Sequence, residues 1–139
     1  MENKVHTFTL NIDWELIRLI SQIDRFDASW ATIEKKEGQS LKQLKAIATV
    51  RSVGASTRIE GSKMSDAEVE VLLKEIDIPK IVDRDSQEVV GYFETLDLIS
   101  ESYEDISISE NNLKNLHNIL LKHSTKDEWH KGDYKVSTS

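Results

Sequence analysis

The chain has 139 residues, and 18 Lys and Arg against 25 Asp and Glu leave a formal net charge of −7. That length fits one domain, and 38% hydrophobic with 31% charged residues reads as globular rather than disordered. The acidic balance opposes nucleic-acid and anionic-membrane binding, and the absence of cysteine excludes disulfides, a thiolate nucleophile and Cys-ligated zinc or iron–sulfur sites.

No apolar run approaches the ~20 residues that span a bilayer, and no basic stretch followed by an apolar one opens the chain, so a cytoplasmic protein is expected. One proline and five glycines favour long helices over a hairpin-rich sheet. The first predicted helix covers residues 12–36. Ile12, Leu16, Leu19, Ile20 and Ile23 share one face, and Phe26, Trp30 and Ile33 continue it. Asp13 is its expected cap, and Lys35, Lys36 and Gly38 suit its end.

A second helix is predicted over 41–59, with Ser40 as its cap and Leu41, Leu44, Ile47 and Val50 as its ridge. Gly61 stands where a left-handed residue ends a helix. Ser65 followed by Glu68 is a capping box that opens a third helix bearing Val69, Leu72, Leu73 and Ile76, which Pro79 closes. The fourth is predicted from Ser86 to Tyr103 and carries Val89, Tyr92, Phe93 and Leu96. Ser107 followed by Glu110 has the same box pattern, and a fifth helix follows with Leu113, Leu116 and Ile119. The last stretch, from Lys122 on, is polar and reads as a loop. The expected fold is all-α, a bundle of about five helices.

The search for chemistry returns little. Phosphate-binding loops, dinucleotide fingerprints, zinc-protease and EF-hand motifs are all missing from the sequence. Of the histidines, His6, His117, His123 and His130, the middle two are six apart and point to different helix faces, so no metal site is expected. Trp14, Trp30 and Trp129 are scattered and read as core or interface anchors. The carboxylates Glu68, Glu70 and Glu75, and likewise Glu101, Glu104 and Asp105, read as solvated charge.

The segment 52–61 stands apart. Ser52, Gly54, Ala55 and Ser56 make a slim helix surface, and Ser56 and Glu60 lie four apart, on one side. Glu60 falls in the final turn, where the negative end of the helix dipole disfavours a carboxylate by about 0.3–1 kcal/mol. Arg58 points about 200° away at 3.6 residues per turn, so a cation for Glu60 must come from elsewhere.

Here the chain resembles the Fic family, enzymes that transfer AMP from ATP to protein hydroxyl side chains. Ser56-Thr57-Arg58-Ile59-Glu60-Gly61 is similar to the family's inhibitory motif (S/T)xxxE(G/N). SKMSDAEVEVLL resembles the segment that follows it, SQEVVGYFETLDLI the first helix of the Fic core, and LKNLHNILLKH with KGDYK the later helix and approach to the flap. Lys135 stands where the family more often has Arg. The resemblance implies an N-terminal helical region over 1–83, with the inhibitory helix at about 41–61. It also implies the beginning of the Fic core over 84–139, stopping before the catalytic loop. The signature HPFx(D/E)GNGRxxR does not occur, and Lys131 after His130 keeps that histidine from being the signature one. No catalytic residue is therefore assigned in this chain, which alone should not transfer AMP.

By resemblance, Ser56, Glu60 and Gly61 are regulatory: Glu60 pairs with the signature's second arginine and blocks seating of the γ-phosphate. ATP, Mg²⁺ and a protein substrate with a hydroxyl side chain are implied for the complete enzyme. The alternative is a stand-alone, antitoxin-like helical module acting on a separate catalytic chain. A nucleic-acid-binding domain, suggested by Lys42, Lys45, Arg51 and Arg58, is opposed by the net charge. Exposed apolar faces on the fourth and fifth helices would favour self-association.

Overall fold

The computed structural model describes residues 9–126, 128 and 131–134. The readings placed on His6, Trp129, His130, Lys135 and positions 136–139 lie outside the described residues. Helix α1 runs Trp14–Ile59, α2 Asp66–Lys74, α3 Arg84–Ser102 and α4 Glu110–Leu120, with a 3-10 turn at Ile78–Lys80. Among the described residues there is no strand, so the fold is all-α.

Among the described residues there are four α-helices, close to the bundle of about five that was expected. The two helices predicted over 12–36 and 41–59 are one element of 46 residues, interrupted only by non-helical dihedrals at Glu37 (φ −114°, ψ 18°). Gly38 lies inside the helix and does not end it; the break in dihedrals falls on the residue before it. Ser40 is thus interior and caps nothing. The chain divides into two compact units, Met1–Gln43 and Leu44–Ser139.

In the first unit, Asp13 caps α1 as expected, its Oδ1 accepting the Leu16 amide at 2.8 Å. The apolar stripe of this half stays exposed, Trp14 most of all at 85%. Phe26 and Trp30 lean on each other at 5.7 Å between centroids. Both described tryptophans are therefore surface residues, not core anchors; the core of the other unit is built from smaller, β-branched side chains.

The second unit gathers around Val53 of α1, Val69 of α2 and Val89 of α3, all fully buried, with Val50, Leu72, Leu73, Tyr92, Phe93 and Leu96 packed against them. Each such valine contributes about 1.5–3 kcal/mol by leaving water. Ser65 and Glu68 close the capping box of α2 in both directions. The Ser65 amide and hydroxyl both donate to Glu68, which holds its carboxyl below the usual range. Pro79 does not end α2, which stops at Lys74; it opens the 3-10 turn instead.

Helix α3 begins two residues before Ser86, because Asp83 is the cap and accepts the Ser86 amide at 2.8 Å. Ser109, rather than Ser107, caps α4. α4 packs on α3 where Gly91 leaves room for the Leu120 carbonyl; any Cβ there would collide with that oxygen. Buried Gln87 ties the 81–82 segment to Thr125 through its amide.

Candidate functional site

Glu60 follows directly on Ile59, the last residue of α1, and owes its setting to how that helix stops. The Ser62 amide donates to the Thr57 carbonyl at 3.0 Å, and the Gly61 amide to the Arg58 carbonyl at 3.1 Å. These two bonds make a Schellman ending with Gly61 at φ +105°, a conformation that costs an L side chain about 1–2 kcal/mol. The glycine of the motif is thus demanded by the backbone. It turns the chain immediately after Glu60 and leaves that side chain exposed.

The loop after Glu60 is tethered on its far side. The Lys63 amide donates to Asp85 Oδ2 at 2.8 Å, and Arg84 Nη2 donates to the Glu60 carbonyl at 3.4 Å. Asp85 sits in the first turn of α3, where the dipole favours a carboxylate. Buried Ser62 and half-buried Met64 hold the loop from within. The Glu60 main chain is therefore fixed, while among the described residues no hydrogen bond or ion pair engages its carboxylate.

Arg58 is committed elsewhere. Its Nη1 donates to the Met64 carbonyl at 2.9 Å and its Nη2 to Asp66 Oδ1 at 2.8 Å. The guanidinium lies over Gly54, which is buried with Val53 and Thr57. This corrects the expected slim surface: Gly54 faces inward under Arg58, while Ser52 and Ala55 are exposed and Ser56 is half-buried. Ser56 and Glu60 share one side of α1, one turn apart, and no hydrogen bond joins them.

The same side of α1 leads away from Glu60 through Ser56 to Ser52, Thr49 and Lys45, a stripe about 80° wide at 100° per residue. The Lys45–Ser52 part of it forms one wall of an open groove of 280 Å³ whose other wall is Phe93, Leu96, Asp97 and Ser100 of α3. A mainly apolar lining from Ala48, Phe93 and Leu96, edged by polar side chains, suits a packed helix or peptide better than a small charged molecule.

The chain matches no family model, no curated protein and no solved structure.

One cluster escaped the sequence reading. Glu94 Oε2 lies 3.0 Å from His123 Nε2 and 3.7 Å from Lys122 Nζ. These groups stand 29 residues apart, and only the α3–α4 packing brings them together. The His123 ring is largely covered, so its partner is fixed. His117 accepts the Gly132 amide at its Nδ1, 3.1 Å away. Lys114 pairs with Glu110 and sits 5.0 Å over the Tyr134 ring, and the Glu110 carboxylate raises the lysine's pKa. Residues 131–134 are thereby held against α4 through Gly132 and Tyr134. Among the described residues no group of metal-ligating side chains comes together, and no helix is long and apolar enough to cross a membrane.

Proposed function

We propose that the chain is the regulatory N-terminal region of a Fic-type protein adenylyltransferase, with Glu60 as an inhibitory carboxylate. One observation carries the reading: Glu60 is held rigidly at the end of α1 with its charge exposed and unpaired among the described residues, while the adjacent Arg58 is occupied by Asp66 and the Met64 carbonyl. A carboxylate at a helix C-terminus is unfavourable where it stands, so it gains most from an arginine supplied by another element. A planar guanidinium accepts a carboxylate or a phosphate in the same bidentate manner. Inhibition is then a competition between Glu60 and the γ-phosphate for one arginine, with Mg²⁺ and ATP held by the catalytic part. Ser56, half-buried one turn earlier, supports the same patch.

The test uses a longer chain that continues through HPFx(D/E)GNGRxxR and labelled ATP. Glu60→Gly raises transfer of AMP to the enzyme itself and to its protein substrate. Unchanged or lower transfer overturns the inhibitory role. The second reading, an antitoxin-like module, draws on the groove between α1 and α3. In that case the 139-residue chain added to a separate catalytic chain suppresses transfer, and the Glu60→Gly chain does not.

A further inference from the structure

The loop that follows Glu60 is held by two neighbouring residues of another helix, in opposite senses. Arg84, the first residue of α3, donates from Nη2 to the Glu60 carbonyl at 3.4 Å. Asp85, the second, accepts the Lys63 amide on Oδ2 at 2.8 Å. One contact grips the loop at its start and the other three residues on, so a single turn of α3 brackets residues 60–63.

The arginine stands where its own helix disfavours it. The first turn of α3 is the positive end of the helix dipole, which suits Asp85 and opposes a cation. The last carbonyls of α1 form a negative end, and there a guanidinium is a favourable cap. Glu88 then secures the arginine. Its Oε1 accepts Arg84 Nε at 2.6 Å, and its side chain is 17% exposed against 52% for the arginine. Its Oε2 is buried without a hydrogen-bond partner among the described residues. A largely covered carboxylate with one oxygen unsatisfied depends all the more on the partner it has.

The other restraints on the loop act elsewhere. The Schellman bonds run back along α1 and fix the turn relative to its own helix. Arg58 grips the Met64 carbonyl and Asp66, beyond the bracketed residues. We infer that Arg84 and Asp85 are positioning residues for inhibition: by bracketing residues 60–63 from α3 they set where the Glu60 carboxylate stands. This rests on the inhibitory reading of Glu60 and extends it to regulation. Inhibition weakens when the start of α3 releases the loop, with Glu60 itself intact.

Hydrogen exchange on the 139-residue chain tests the bracket. Asp85→Ala speeds exchange of the Lys63 amide about 10-fold, while the amides of α2 keep the parent's rates. Asp85→Asn retains an acceptor oxygen and restores most of the protection. An unchanged Lys63 rate in Asp85→Ala overturns the inference.

Transfer of AMP from labelled ATP, in the chain that continues through HPFx(D/E)GNGRxxR, tests the consequence. Asp85→Ala raises self-transfer about 2–10-fold, the weight of one hydrogen bond, and Asp85→Asn stays near the parent. Arg84→Gln also raises it, because the shorter amide cannot serve Glu88 and the Glu60 carbonyl at once. Neither variant adds to Glu60→Gly when combined with it, since a positioning residue acts through the group it positions. A purely structural role would lower transfer or change it equally in both backgrounds. If Glu60→Gly raises transfer while Asp85→Ala and Arg84→Gln leave it at the parent's level, the inference is overturned and the inhibitory reading stands. Gains that persist on top of Glu60→Gly overturn it as well. If Glu60→Gly changes nothing, the reading falls and takes the inference with it.

Discussion

The Arg58 guanidinium reaches back over Gly54 to Asp66 and ends 2.8 Å from its carboxylate, so the cation two residues before Glu60 is turned away from it. The pair is roughly two-fifths exposed, and its Coulombic part contributes little, about 0–1 kcal/mol. The hydrogen bond to the Met64 carbonyl adds about 0.5–1.5 kcal/mol. Arg58→Ala should therefore lower unfolding stability by about 1–2 kcal/mol. Arg58→Lys should recover less than half, since one ammonium cannot span both acceptors. Urea midpoints of the two variants measure the difference.

Glu60 should behave in the opposite sense. A carboxylate facing the last carbonyls of α1 costs about 0.3–1 kcal/mol, and no partner among the described residues offsets it. Glu60→Gln is expected to raise stability by a few tenths of a kcal/mol at low salt, and the gain should shrink as salt screens the dipole. A variant less stable than the parent would mean that Glu60 holds the fold together and is not reserved for another chain.

Gly91 sets how closely α4 lies on α3. A methyl group there meets the Leu120 carbonyl, a backbone atom that cannot swing aside like a flexible side chain. Gly91→Ala should cost about 1–3 kcal/mol even though alanine is the better helix former. It should also separate Glu94 from His123 and Lys122, which depend on the same helix pair. Hydrogen exchange should report α4 amides opening before those of α2. Equal protection of the two helices would count against Gly91 as the spacer.

What the sequence disclosed and what it hid divide along range. Asp13, Ser65 and Gly61 were legible because a cap or a Schellman turn closes within a few residues of its cause. Local competition misled the reading of Ser86 and Ser107. Each lies near a second oxygen-bearing residue, Asp83 or Ser109, that reaches an amide three positions on. The Glu94–His123 pair had no local signal at all, since it follows from two helices meeting at Gly91. Hydrophobicity alone could not tell that Trp14 and Trp30 lie outside: the valines of the second unit match one another across three helices, while Trp14 is 85% exposed and Trp30 meets only Phe26's ring among the described aromatic residues. The Ser56–Glu60 side of α1 was readable from its spacing, and so was the divergence of Arg58. The destination of Arg58 was not, because Asp66 belongs to the next helix.

Acid should loosen the start of α3 before it loosens the core. The Ser86 amide, donating to Asp83, holds that carboxyl below the usual aspartate range. A group whose folded-state value is depressed stabilises the fold above its unfolded value, and the gain disappears as pH falls through the folded one. The Asp83 contribution should thus be complete at neutral pH and fade below about pH 4. Asp83→Asn keeps a capping oxygen without the titration, so its stability should vary less steeply over that window and fall short of the parent by under about 1 kcal/mol at pH 7. Thermal unfolding of both chains between neutral and acid pH gives the two slopes. Parallel slopes would place the acid sensitivity elsewhere, with Glu68 at the start of α2 as the next carboxylate to replace, since Ser65 depresses it in the same way.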